Sequence, residues 1–192
     1  MVEPNGAVVD EIIRAGESMG SRDIVERIER HHNGPGVNRE TIDAYAAELE
    51  ARDDYAFDAA EFLAHVDENT TGADWWAGGV FYDIAEGEDT RISLFPAAWH
   101  ERLGGSTDVA EYVAFIRDED PDYLDDLDLG GPGEGVPEAA VIEALGLVGG
   151  IDRPDATTAV HEARDRGDIV EDADQSPEAD IYLAERAPDD LG

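Results

Sequence analysis

Lysine and cysteine are both missing from this chain of 192 residues. Without cysteine there is no disulfide framework, no thiol nucleophile and no cysteine-ligated zinc. Without lysine there is no Walker-type phosphate loop and no Schiff-base chemistry, which needs a side-chain amine. Long apolar runs are absent too, since none approaches the roughly 18 residues that a membrane-spanning helix needs. The opening MVEPNGAVVDEII has neither the basic start nor the greasy centre of a secretion signal. These absences predict a cytoplasmic protein with no membrane partner.

What is present in excess is acid. Aspartate and glutamate number 48 against 13 basic residues, every one an arginine, for a net charge of −35. The acids are interleaved with Ile, Val, Leu and aromatics over the whole length, and a hydrophobic fraction of 42% predicts a folded chain rather than an acidic disordered one. Uniform acidity with no lysine resembles the proteins of salt-in halophiles, the haloarchaea above all. At molar salt the screening length is only about 3 Å, so self-repulsion that would strain the fold in dilute buffer is suppressed. Net charge here reports the solvent and says little about the partner.

Periodicity and punctuation divide the chain. Val8, Val9, Ile12 and Ile13 give a first helix that stops near Gly16. Ser21 is placed to cap a second, carrying Ile24, Val25 and Ile28. Asn33-Gly34-Pro35-Gly36 breaks it, and Asn38 caps a third whose apolar stripe is Ile42, Tyr45, Ala46 and Leu49. Tyr55-Ala56-Phe57 reads as a short strand, and 58–66 as another helix. Residues 79–84 and 90–95 read as a hairpin around Ala85–Asp89. Trp75, Trp76 and Trp99 flank it, read as core in preference to base-stacking platforms. A helix follows Pro96, and another follows Thr107 or Asp108. Alternating acids from Asp118 suggest a calcium loop. The glycine position of such a loop holds Tyr123 and its closing glutamate position holds Leu129, so the calcium reading fails and the stretch reads as a solvated, halophilic acidic loop. Gly130–Gly135 is a linker. Helices from Val136 and from Arg153 follow, the second opened by Pro154 and closed by Gly167. Asp168–Glu171 and Ile181–Ala184 are the last strands.

Helix, helix, helix and strand over residues 6–57 resemble the winged helix-turn-helix family, although HHNGPG is longer than the family's usual turn of about 3–4 residues. The run GIDRPDATTAVHEARDRGDIVED resembles the recognition helix and first wing strand of archaeal winged-helix domains, including the C-terminal domain of the minichromosome-maintenance helicase. The expected fold class is therefore α+β, mainly helical, with two winged helix-turn-helix units and an intervening β-hairpin. The expected division is 1–66 for the first unit, 67–105 for the hairpin and short helix (an extended wing or a bridge), 106–186 for the second unit and 187–192 for a tail.

The resemblance implies DNA binding, and charge bears on where. Residues 1–40 hold five arginines against eight acids, a net of −3, while the other 152 residues carry −32. Phosphate contacts need cations and base edges need Arg or Asn. The candidates are Arg22, Arg27 and Arg30 for phosphates, and Asn38, Arg39 and Thr41 for bases. In the second unit they are Arg153, Thr157, Thr158, His161 and Arg164, ranked lower because the wing (Asp172, Asp174, Glu178, Asp180) has no base. The bland reading is that these arginines pair with Asp23, Glu26 and Glu29 along their own helix. His31-His32 lacks a third metal ligand and reads as a polar helix end.

Nothing needs a catalyst to explain it. So many acids guarantee coincidental neighbours, no serine sits in a nucleophile elbow, and the five histidines form no HExxH. The chain is expected to be non-catalytic, without cofactor or metal. Two functions stay open: a DNA-binding transcription regulator or replication accessory acting on double-stranded DNA, or a module that binds a protein partner or a second copy of itself.

Overall fold

The computed structural model describes residues 2–16, 19–32, 34–84, 90–127, 135–172 and 179–187. The hairpin tip 85–89, Leu129, the linker residues 130–134, Asp174 and Glu178 of the second wing, and the tail from 188 lie outside them. The class is α+β and mainly helical, with two small sheets. Two compact units are distinguishable. One comprises Met1–Asp74 with Gly79–Ala98, the other Trp75–Gly78 with Trp99–Gly192. The hairpin thus belongs to the first unit and does not form a separate bridge.

The first unit runs α1 (Gly6–Ala15), α2 (Ser21–Arg30), β1 (Val37–Asn38), α3 (Arg39–Glu50), α4 (Ala59–Glu68), β2 (Thr70–Thr71), β3 (Phe81–Asp83) and β4 (Arg91–Ser93). Its sheet order is β1-β4-β3-β2, with Val37 opposite Ile92 and Tyr82 opposite Ser93 in antiparallel pairs. The apolar stripes read from the sequence are the core: Val8, Val9, Ile12, Ile24, Val25, Ile28, Ile42, Ala46 and Leu49 are all buried. Full burial of each large aliphatic chain contributes about 1.5–3 kcal/mol.

Caps set the helix starts. Asn5, Asn38 and Asp58 each accept a backbone N–H of the first turn, from Ala7, Thr41 and Glu61. For α2 the cap position is Gly20 rather than Ser21, and Asp23 accepts the Gly20 N–H at 2.9 Å. The strand expected at Tyr55–Phe57 does not form. Tyr55 stacks on Phe57 at 5.9 Å, Phe57 tilts onto Phe62 at 5.4 Å, and Asp58 at once begins α4. The aromatic alternation that reads as β serves to pin a turn against a helix.

The second unit contains most of α5 (Ala97–Leu103), then α6 (Val109–Asp118), α7 (Asp122–Asp126), β5 (Val136–Pro137), α8 (Glu138–Leu147), α9 (Arg153–Arg166), β6 (Ile169–Glu171) and β7 (Asp180–Leu183). Its sheet order is β5-β7-β6, with Val136 opposite Ile181 and Val170 opposite Tyr182. Gly167 ends α9 in the left-handed region at φ 77°, as the sequence predicts.

The two units share a plan. In each, a helix is followed by a two-residue strand, two helices and a hairpin whose last strand lies beside that short strand. By this order α3 corresponds to α8 and α4 to α9. A glycine precedes the short strand both times. A Cβ on Gly36, at φ 60°, would lie 2.8 Å from Ile84 Cδ1, and one on Gly135 would lie 2.6 Å from Asp180 Cβ. The missing side chain is what lets the hairpin close on the short strand. Gly36→Ala and Gly135→Ala are each expected to cost about 1–3 kcal/mol in chemical denaturation, whereas Gly72→Ala, with open space around it, should stay within about 0.5 kcal/mol of wild type.

Candidate functional site

The candidate arginines of the first unit, Arg22, Arg27, Arg30 and Arg39, are committed to protein groups. Arg22, half-buried, donates to the Val80 carbonyl at 3.2 Å. Arg27 donates to the Asp23 carbonyl and lies 3.3 Å from Glu11, and Arg30 pairs with Glu26 one turn back. Arg39 bonds Asp43 at 2.9 Å and grips Asp67 with both terminal nitrogens, interactions that push its pKa up, the Asp67 bond first. Exposed pairs of this kind contribute under about 1 kcal/mol each, so pairing alone would not keep an arginine from a phosphate. The surrounding carboxylates weigh more, because a phosphate reaching Arg39 also meets Glu40, Asp43 and Asp67.

Asn38 and Thr41 are occupied with each other. Asn38 Oδ1 accepts the Thr41 N–H at 2.8 Å and the Thr41 hydroxyl at 2.7 Å, and Thr41 is buried. Asn38 is also the end of β1, opposite Arg91. Asn38 and Thr41, two of the residues expected to read bases, are thus tied up within the protein, and the exposed side of α3 carries Glu40, Asp43, Glu48 and Glu50. His31 Nδ1 sits 2.9 Å from the Arg27 carbonyl, which fits a polar helix end, while burial and then Arg91 lower the His32 pKa.

Glu29 departs furthest from its expected role. It points inward, where Oε1 accepts the Ser93 hydroxyl at 2.5 Å and Oε2 accepts the Leu94 N–H at 3.0 Å. Burial raises its pKa to about 7 although both bonds, the nearby Arg22 charge and the Gly36 backbone pull it down. The sequence holds a signal for this: Glu29 lies four residues after Val25, on the buried face of α2, where a charged helix surface conceals it.

α4, the helix equivalent to α9, presents a different surface. Phe62 and Val66 face inward, while Glu61, Ala64, His65, Asp67 and Glu68 are exposed, and the helix has no arginine. Beside it runs a groove of about 520 Å³. Its floor includes Met19, Ile24, Tyr55, Phe57 and Phe62, and Asp58, Glu61 and Glu68 stand along it.

In the second unit the named residues lie on α9. Arg153, Thr158, His161 and Arg164 are exposed and Thr157 half-exposed. Arg164 bonds Glu171 at 2.7 Å, and that bond raises its pKa. The Thr157 and Thr158 hydroxyls donate back to the Arg153 and Pro154 carbonyls. Among the described residues Arg153 makes no ion pair.

Asp120, read from the sequence as part of a solvated acidic loop, is buried. Its Oδ2 accepts both the Trp76 N–H at 3.0 Å and the Trp99 indole N–H at 2.7 Å. Trp99 meets Phe115 and Tyr123 edge-on at 5.2 and 5.0 Å, so Trp76 and Trp99 are core, while Trp75 is 44% exposed and stacks on Phe115. Among the described residues no group of three or more His, Asp or Glu could hold a metal ion, and no helix is long and apolar enough to cross a membrane. Compared with protein families, curated proteins and solved structures, the chain matches none.

Proposed function

We propose that both units are winged helix-turn-helix folds and that the protein is a non-catalytic interaction module whose partner is another protein. The shared plan supports the winged-helix assignment: a helix pair preceded by a short strand, with a hairpin closing on that strand. It shifts the recognition position of the first unit from α3 to α4. The observation that carries the functional reading is the exposed face of α4, which has acids, an alanine and a histidine but no arginine of its own, the Arg39 beside it being bound to Asp67. A duplex presents one phosphate charge per about 1.7 Å of axis, and such a face repels it.

Contact with double-stranded DNA is the second reading, favoured at one place. Arg153 stands open at the start of α9, with His161 and Arg164 further along the same helix. A photo-crosslinking residue placed at Ala64 on α4 or at Thr158 on α9, in salt-replete cells, separates the two. Protein adducts from Ala64 are expected. Nucleic-acid adducts from both positions would overturn the protein-binding reading, and from Thr158 alone would assign DNA to the second unit.

The charge excess is, in this reading, adaptation to molar salt in the cytoplasm. The thermal midpoint is expected to rise steadily from dilute buffer to molar KCl, as the screening length falls from about 10 Å to about 3 Å. A midpoint unchanged by KCl would remove the halophilic assignment.

A further inference from the structure

We propose that the groove beside α4 docks an arginine-containing segment of a partner protein, with an apolar anchor on the aromatic floor and guanidinium groups over the carboxylates. The inference rests on the protein-interaction reading and names the partner's chemistry. Three features select this occupant. The floor, with Tyr55 stacked on Phe57 and Phe57 against Phe62, offers ring faces and edges to an aliphatic or aromatic side chain. The groove at about 520 Å³ is large enough for one or two such side chains.

The charged residues lining it are Asp58, Glu61 and Glu68, with His65 between them. Asp58 spends one oxygen on capping α4. Among the described residues Glu61 and Glu68 have no arginine partner, although most arginines of the chain are paired with an acid. The groove is therefore both the apolar opening and an uncompensated negative one. A nucleic acid or an acidic peptide would meet like charge there.

Salt sharpens the choice of cation. With a screening length of about 3 Å, long-range steering is lost and only direct contacts discriminate. Arginine, weakly hydrated and planar, stacks on aromatic faces while its N–H groups reach carboxylates, which the compact, strongly hydrated lysine ammonium does less well.

The test is fluorescence anisotropy with the full chain in molar KCl. The probe is a labelled synthetic peptide alternating leucine and phenylalanine with arginine. Two control peptides replace the apolar residues by serine or the arginines by glutamate. Saturable binding of the probe alone is expected, weakened roughly tenfold or more by Glu61→Arg combined with Glu68→Arg and unchanged by Thr158→Glu on α9. Both reversed positions are exposed, so folding should survive, and Ala64→Arg provides a second variant that places a cation in the groove. Equal affinity of these variants for the probe, equal binding of the serine peptide, or no binding of the probe would overturn the groove assignment. If protein adducts still form from Ala64 or Thr158 in that case, the interaction reading stands and only the groove chemistry falls. Nucleic-acid adducts from both positions, with the probe still bound and lost on charge reversal, would leave the groove and remove the interaction reading.

Discussion

Replacing Glu29 by glutamine should flatten the dependence of stability on pH through the neutral range. Glu29 is a carboxyl whose folded pKa of about 7 lies above its ordinary value of 4.5. A raised pKa means the folded state holds the proton longer than the unfolded state does. Its stabilising contribution is therefore complete below 4.5 and is lost as pH rises through about 7. Over the whole interval this amounts to roughly 3 kcal/mol, and between about pH 5.5 and about pH 8 to roughly 2 kcal/mol. Glutamine has nothing to ionise. Its carbonyl oxygen can accept the Leu94 N–H while its NH2 group turns toward the Ser93 hydroxyl oxygen, a weaker arrangement, so at about pH 5.5 the variant should be less stable by about 1 kcal/mol. That deficit should vanish or reverse by about pH 8. Denaturant unfolding of both proteins in molar KCl measures it, and wild-type and variant curves that stay parallel would remove the buried, proton-holding role. Because the difference between the two isolates Glu29, the many surface acids cancel.

Loss of the Asp120 carboxylate should be costlier still. One oxygen, Oδ2, serves both the Trp76 backbone and the Trp99 indole. Hydrogen bonds to a charged acceptor contribute about 1.5–3 kcal/mol, more than neutral ones. Asp120→Ala is expected to lose about 3 kcal/mol and to weaken the near-ultraviolet dichroism of the tryptophans. Asp120→Asn can place its carbonyl oxygen at the same point, keep both bonds in neutral form, and cost about 1 kcal/mol. An alanine variant within about 0.5 kcal/mol of wild type would show that packing alone holds the aromatic cluster, and that the carboxylate is dispensable there.

Glu29 and Asp120 mark the limit of what was legible in the sequence. Period and punctuation place the helices well, because Ile24, Val25 and Ile28 or Ile42, Ala46 and Leu49 fall on one face and Asn38, Asp58 and Asp152 sit at helix starts. The mainly helical α+β class and the hairpin follow from the same patterns. What stayed hidden depends on partners far along the chain. Glu29 is kept inside by Ser93 and Leu94, and Asp120 by Trp76 and Trp99, while an acid-rich composition makes every carboxylate look solvated. Tyr55–Phe57 alternates like a strand, yet its neighbours are aromatic rings and a helix start. The same distance effect bears on the first candidate surface: Asn38 and Arg39 look like a groove-reading start in the sequence, which does not show that β4 pairs with β1 or that Asp67 stands beside Arg39. The groove along α4 had no signal of its own, since its floor collects Met19, Ile24, Tyr55, Phe57 and Phe62 from three separate segments.

The four residues Trp75–Gly78 group with the second unit although the chain on both sides of them belongs to the first. A chain threaded this way has no single bond at which it can be cut into two self-sufficient halves. Truncation after Ala98 would leave Trp76 without Asp120 and Tyr123, and a gene fusion that borrowed only the second unit would lack that tryptophan. Synthesis imposes the same order in time. Asp120 lies 44 residues beyond Trp76, so at about 5–20 residues per second the acceptor leaves the ribosome some two to nine seconds after its donor. For that interval the first unit can assemble its sheet while its own excursion, Trp75–Gly78, waits unfolded for a unit not yet made.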